Sequence, residues 1–187
     1  MMKVAITGSS KLALAIKVKL QALNKAKVRC IRIEDIIMND TNCWIFDKEN
    51  SNHVDVLINN AHQDFEQTKI LDIAHRAWKD DDTKHIINIS SRASQPNISK
   101  GHMYASQKAS LNHMSNNLTY NSDRKYKITT MNLGLLEHDL PSLSYGFVGQ
   151  WISDMFNFYS KIEIPEITLQ AFANYRDVQQ QKEKLCQ

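Results

Sequence analysis

The sequence predicts an α/β protein built on a doubly wound, mainly parallel seven-stranded sheet, and three observations carry that expectation. Apolar, β-branched runs of strand length recur along the chain. Longer stretches with apolar residues at helical spacing separate them, and polar Thr, Ser and Asn residues gather just behind several of the runs. Runs that are apolar throughout suit strands buried on both faces, and their alternation with amphipathic helices is the pattern of a parallel sheet covered on both sides. At 187 residues, 42% of them apolar, the chain is long enough for one domain with a full core.

The elements follow in order. "KVAIT" (3–7) opens the series, and a helix over Lys11–Leu23 follows with apolar residues at 12, 16, 20 and 23 on one face. "KVRCIRI" (27–33), "CWIF" (43–46) and "VDVLIN" (54–59) read as the next three strands. Connections 33–43 and 46–54 are short for crossover helices, since a βαβ crossover normally takes at least ~10–12 residues. The early half of the sheet is therefore expected to be trimmed. A helix near Phe65–Lys79 carries Ile70, Ile73, Ala74 and Ala77 at helical spacing. "HIINIS" (85–90), a helix from about Met103 to Tyr120, "YKITTMN" (126–132), a helix near Val148–Ser160 and "EITLQA" (166–171) complete the series. Crossovers are expected to be right-handed. Residues 1–171 form one domain in this reading, and 172–187 a polar tail.

Composition narrows the function classes. The net charge is +3, and basic residues such as Lys11, Lys17, Lys19, Lys25 and Lys27 are scattered, without the stripe that binds nucleic acid. Cys30, Cys43 and Cys186 show no CxxC spacing, so neither a disulfide framework nor a zinc site is indicated and a reducing compartment fits. The start "MMKVAITG" has no signal-type apolar stretch, and no apolar run approaches the ~18 residues needed to span a bilayer. A cytoplasmic protein without membrane or nucleic-acid partners is expected. His102 and His113 flank the third helical stretch without a carboxylate partner, so no metal is expected.

In open parallel sheets ligands bind beyond the carboxyl ends of the strands. The candidates are thus Thr7, Gly8, Ser9 and Ser10 after the first run, Asn59, Asn60, Ala61 and His62 after "VDVLIN", and Ser90 and Ser91 after "HIINIS". Strand alternation points Ser90 and Ser91 to opposite faces, and Ser91 is preferred. The next helix carries Tyr104 and Lys108, four apart and so on one face. An ammonium near a phenol favours the phenolate, which makes such a pair a candidate proton donor and acceptor.

"TGSS", "NNA", "ISS" and "YASQK" stand in the order and strand context of the short-chain dehydrogenase/reductase family, with Ser91 thirteen residues before Tyr104. The chain resembles that family from Met2 to about Ala171, with "MNLG" and "IPEITLQA" in matching places. The resemblance implies a Rossmann-type fold and an NAD(P)-dependent oxidoreductase acting on a small-molecule carbonyl or alcohol. Tyr104 would be the general acid/base, Lys108 would ease its ionisation and hold the nicotinamide ribose, and Ser91 would orient the substrate oxygen. Asn60 and Ala61 would line the adenosine side of the cofactor, and Gly8, Ser9, Ser10, Lys11 and Leu12 its pyrophosphate. Family members commonly associate through the tyrosine helix and a later one, which implies a homodimer or homotetramer.

The departures fall on the cofactor side. The family's turn reads Thr-Gly, three residues, Gly, one residue, Gly, and here the last two glycines are Leu12 and Leu14. Leu12 is expected to occlude phosphate and Leu14 to push the helix outward. His62 replaces the glycine after Asn-Asn-Ala, Leu133 replaces the proline before Gly134, and His138 stands near an expected threonine. Gln67 is the nearest polar residue to the family's fourth catalytic asparagine, and little is expected of it. Lys11 and Arg32 are placed to meet a 2′-phosphate, which favours NADP over NAD, while occlusion by Leu12 predicts weak binding of either. Two readings stand: the oxidoreductase, which is preferred, and a non-catalytic binding or scaffold protein with an impaired cofactor site.

Overall fold

The computed structural model describes residues 1–22, 26–95, 101–158, 162–173, 176 and 183, the side chains of 157 and 158 excepted. The chain runs β1 (Met2–Thr7), α1 (Lys11–Ala22), β2 (Ala26–Ile31), α2 (Ile33–Asn39), β3 (Val56–Asn59), α3 (Glu66–Trp78) and β4 (His85–Ser91). It continues through α4 (His102–Asn121), β5 (Lys127–Leu133), α5 (Tyr145–Phe158) and β6 (Glu166–Leu169). The six strands form one parallel sheet in the order β2-β1-β3-β4-β5-β6. The direction of winding reverses between β1 and β3, and such a switch point opens a crevice beyond the strand ends.

Period-two alternation along the strands builds two core layers. Val4 and Ile6 of β1, Ile58 of β3 and Ile87 of β4 face Leu12, Ile16 and Leu20 of α1 and Val148 and Ile152 of α5. Ala5, Leu57, Ile86 and Ile128 face the other way, onto α2, α3 and α4 through Ile36, Ile70, Leu71 and Leu111. Helix α5 lies directly on α1. A Cβ on Gly149 would stand 2.9 Å from the Ala15 carbonyl oxygen, so the contact needs a residue without one.

Among the described residues the sheet has six strands where the sequence predicts seven. "CWIF" lies in a turn, and its buried Cys43, Ile45 and Phe46 join the second core layer, Phe46 meeting Trp78 edge-on at 5.2 Å. A four-residue apolar run satisfies burial in either conformation, and β2 remains the sheet edge. The preceding connection, expected to lack a helix, contains the seven-residue α2 with Ile33 and Ile36 inward. Residues 79–84 end in a buried Lys84 whose ammonium donates to the Val54 carbonyl (2.9 Å) and lies 3.4 Å from Asp55. Helix α5 starts three residues earlier than predicted; its Met155 is buried, with Trp151 and Phe156 packed alongside. Tyr159 and nearly all of the polar tail lie outside the described residues.

Candidate active site

The turn after β1 is tied to the end of β3 by hydrogen bonds. Thr7 Oγ1 accepts from the backbone N–H groups of Asn60 (2.8 Å) and Ala61 (2.9 Å). The Asn60 amide donates back to the Thr7 carbonyl and to Ser10 Oγ, both at 3.2 Å. Ser10 Oγ also accepts from Ala13 N–H at 3.3 Å, and so caps α1. Gly8 has φ +76°, and a Cβ there would stand 2.7 Å from that of Ala61. Only glycine lets the two loops meet this closely.

The leucines of this turn diverge. Leu12 is 6% exposed and belongs to the core layer beneath α1, and it also lines the cavity. Leu14 is 49% exposed. It lies on the far side of α1 and does not push the helix off the sheet, contrary to the sequence expectation. Helix geometry leaves the first N–H groups of α1 without intrahelical acceptors.

At β4 the chain ends in Ser90 and Ser91. Ser90 is buried and its hydroxyl donates to Asn112 Oδ1 at 2.5 Å, while Ser91 Oγ accepts from Ala93 N–H at 3.1 Å. Tyr104 and Lys108 lie one turn apart on α4. Tyr104 is 38% exposed and Lys108 only 3%, with its ammonium 5.7 Å from the centre of the Tyr104 ring. That ammonium donates to Gln67 Oε1 (2.5 Å) and to the Ile89 carbonyl (2.9 Å). Burial pulls the Lys108 pKa down to about 8.

Gln67, of which the sequence promised little, is the hub of this arrangement. Its side-chain amide donates to the carbonyls of Asn59 (2.7 Å) and Ile89 (3.1 Å), and Asn59 Nδ2 donates to the Gln67 carbonyl (2.8 Å). One glutamine thus joins β3, β4 and α3 to the lysine of α4. Its position on the buried face of α3, beside Ile70, Ile73 and Ala74, is the signal that could have found it.

These parts meet in one cavity of about 350 Å³ at the carboxyl edge of the sheet. Ser10, Lys11, Leu12, Asn60 and Ala61 line one side of it, and Ser91, Tyr104 and Lys108 the other. Leu133, Leu136 and Tyr145 form an apolar wall, and His62 stands against Tyr104 with ring centroids 4.8 Å apart. Gly8 and Ser9 shape the turn behind it. Arg32 is held apart from this group, its guanidinium on both carboxylate oxygens of Asp35 at 3.1 and 2.7 Å. Among the described residues there is no cluster of three or more metal-ligating side chains, and no helix is long and apolar enough to cross a membrane.

No protein-family model matches the chain, and no curated protein matches it. Solved structures do. Serine dehydrogenase from Escherichia coli superposes with a TM-score of 0.67 at 18% identity, over 90% of this chain and 97% of that one. A short-chain dehydrogenase/reductase from Saccharomyces cerevisiae gives 0.69 at 14% identity, over 90% and 96%. An alcohol dehydrogenase from the archaeon Thermococcus sibiricus, complexed with 5-hydroxy-NADP, gives 0.61 at 16% identity, over 94% and 100%. The chain has a short-chain dehydrogenase/reductase-like fold.

Proposed function

We propose that the protein is an NAD(P)-dependent oxidoreductase that interconverts a small-molecule carbonyl and the corresponding alcohol. The observation that carries this reading is the meeting of Ser91, Tyr104 and Lys108 in one cavity next to the start of α1. The residues present fit a dinucleotide. The first N–H groups of α1 favour an anion, Leu12 is turned into the core, and Lys11 stands at the cavity lip. Ser10, Lys11, Asn60 and Ala61 would hold the cofactor, which supplies the hydride when bound.

The chain's own residues supply the proton and the orientation. Ser91, whose oxygen accepts from Ala93, keeps its O–H as a donor for the substrate oxygen. Tyr104 gives its hydroxyl proton to that oxygen in reduction and takes it back in oxidation. Lys108 places a positive charge behind the Tyr104 ring, which stabilises the phenolate left when the proton goes. Gln67 and the Ile89 carbonyl hold the ammonium in that place. NADP(H) is the preferred cofactor in this reading. Lys11 offers a cation, and the carboxylate of Asp35, which would otherwise repel a 2′-phosphate, is neutralised by Arg32. The scaffold reading supposed an impaired cofactor site, and the burial of Leu12 argues against one of its grounds.

The test is calorimetric titration of the purified protein with NADPH and NADH, then turnover with a panel of aldehydes and ketones. NADPH is expected to bind, and Tyr104→Phe to cut turnover by a factor of ~10² or more while leaving binding intact. Absence of binding at millimolar dinucleotide would overturn the proposal.

A further inference from the structure

We propose that His62 is the proton-exchange partner of Tyr104, carrying the proton between the Tyr104 hydroxyl and bulk water; this rests on the oxidoreductase reading of the same cavity. His62 directly follows the Asn60–Ala61 pair that β1 clamps, so its backbone is fixed at the cavity mouth. Its ring meets that of Tyr104 edge to face at 4.8 Å, and both side chains reach solvent as well as the cavity.

On the inner side Tyr104 faces Lys108 and the cavity. Lys108 is buried and commits two of its three N–H donors to Gln67 and Ile89. A substrate and dinucleotide filling the cavity would cover the phenol further, leaving the His62 side as the exit. Imidazole suits that position, because its two nitrogens let it take a proton at one and release another at the other. The charged groups around it are Lys108 on α4, Asp64 in its own loop and Lys11 at the start of α1, and the side chains of Gln67 and Gln107 hydrogen-bond with the imidazole. Burial and then the Lys108 charge hold the imidazole below its ordinary pKa, against the pull of Asp64, so it is uncharged at neutral pH.

In reduction, with the hydride supplied by the reduced dinucleotide, the Tyr104 O–H bond breaks. Its proton goes to the substrate oxygen and its electron pair stays on the phenolate. His62 takes a proton from hydronium or buffer at one ring nitrogen as it gives the proton on the other to the phenolate, and so returns to the neutral imidazole. Oxidation runs the same transfers in reverse.

His62→Phe tests the idea, because it keeps a ring against Tyr104 but cannot carry a proton. First, the His62 imidazole is titrated by NMR in the parent and in Tyr104→Phe, and the Tyr104 phenol in the parent and in His62→Phe. Each midpoint is expected to move by about 0.3 unit or more when its partner is removed. Titrations that ignore each other overturn the pairing. Second, turnover is followed with NADPH and 9,10-phenanthrenequinone. His62→Phe is expected to lower kcat about tenfold, to lose one limb of the pH profile and to recover with added imidazole, at unchanged NADPH affinity. Wild-type kcat and pH profile in that variant would overturn the relay. If the parent binds NADPH but does not reduce the quinone, the activity reading is what fails, and the titrations still decide the pairing.

Discussion

Replacing Leu12 by alanine separates two meanings of a leucine in the turn after β1. If the side chain stood in the place of a phosphate, removing it would relieve an overpacking penalty of about 1–3 kcal/mol, and dinucleotide affinity would rise up to a hundredfold. The structure places it in the core layer of Ile16, Leu20, Val148 and Ile152, at 6% exposure. Truncation there costs about 2–5 kcal/mol, a large part of the ~5–15 kcal/mol that holds a domain together. Alanine is the right probe, since glycine would add about 1 kcal/mol of helix penalty and blur the result. Urea unfolding followed by tryptophan fluorescence reads the first effect. With a slope of about 2 kcal/mol per molar, the midpoint should fall by roughly 1–2.5 M. Calorimetry with NADPH reads the second, and affinity should change by less than about threefold, well under the 1.4 kcal/mol that a tenfold change represents. An unchanged midpoint together with a tenfold gain in affinity would refute the assignment of Leu12 to the core.

Three further variants have definite expected outcomes. Gln67→Leu strips the Lys108 ammonium of one acceptor and leaves the Asn59 carbonyl short of a donor, so stability should drop by about 1–3 kcal/mol or more. In the same variant the Lys108 titration, followed by NMR, should move below its value of about 8, because an acceptor that favours the charged form is gone. His85 is buried with its imidazole on Thr129 Oγ1, and burial pushes its pKa down to about 3. The unfolded chain takes up that proton below about pH 6.5 and the folded chain does not. Stability should therefore be full above that pH and fall by up to about 1.4 kcal/mol per unit from there towards pH 3, a slope that His85→Asn should flatten in pH-dependent urea melts. Gly149→Ala sets a methyl 2.9 Å from the Ala15 carbonyl oxygen and forces α5 off α1. A loss of about 1–3 kcal/mol, or roughly 2–10 °C in Tm, is expected by calorimetry.

What could be read from the sequence, and what could not, divides along the range of the forces involved. Tyr104 and Lys108 were legible because one helix fixes their relation, and Ser91 because it ends a strand whose apolar pattern is unmistakable. "CWIF" was misread because burial alone does not choose between a strand and a turn packed against Trp78. Gln67 carried a local signal, its place on the buried face of α3, but its bond to Lys108 and the contact of His62 with Tyr104 depend on what α4 brings across the sheet edge.

The two leucines are a different case, because their fate was written in the same helical period that predicted α1. Successive residues turn by about 100°, so positions 12 and 14 stand about 200° apart and cannot both face a ligand at the helix start. Position 12 shares its face with Ile16 and Leu20, the buried stripe, and position 14 lies opposite, near exposed Val18. A leucine at 12 therefore enlarges the core beneath α1, and a leucine at 14 adds a side chain to the surface. Neither change removes the N–H groups at the first turn of α1, and it is those groups, held in place by Ser10 and the Thr7–Asn60 clamp, that an anion would meet.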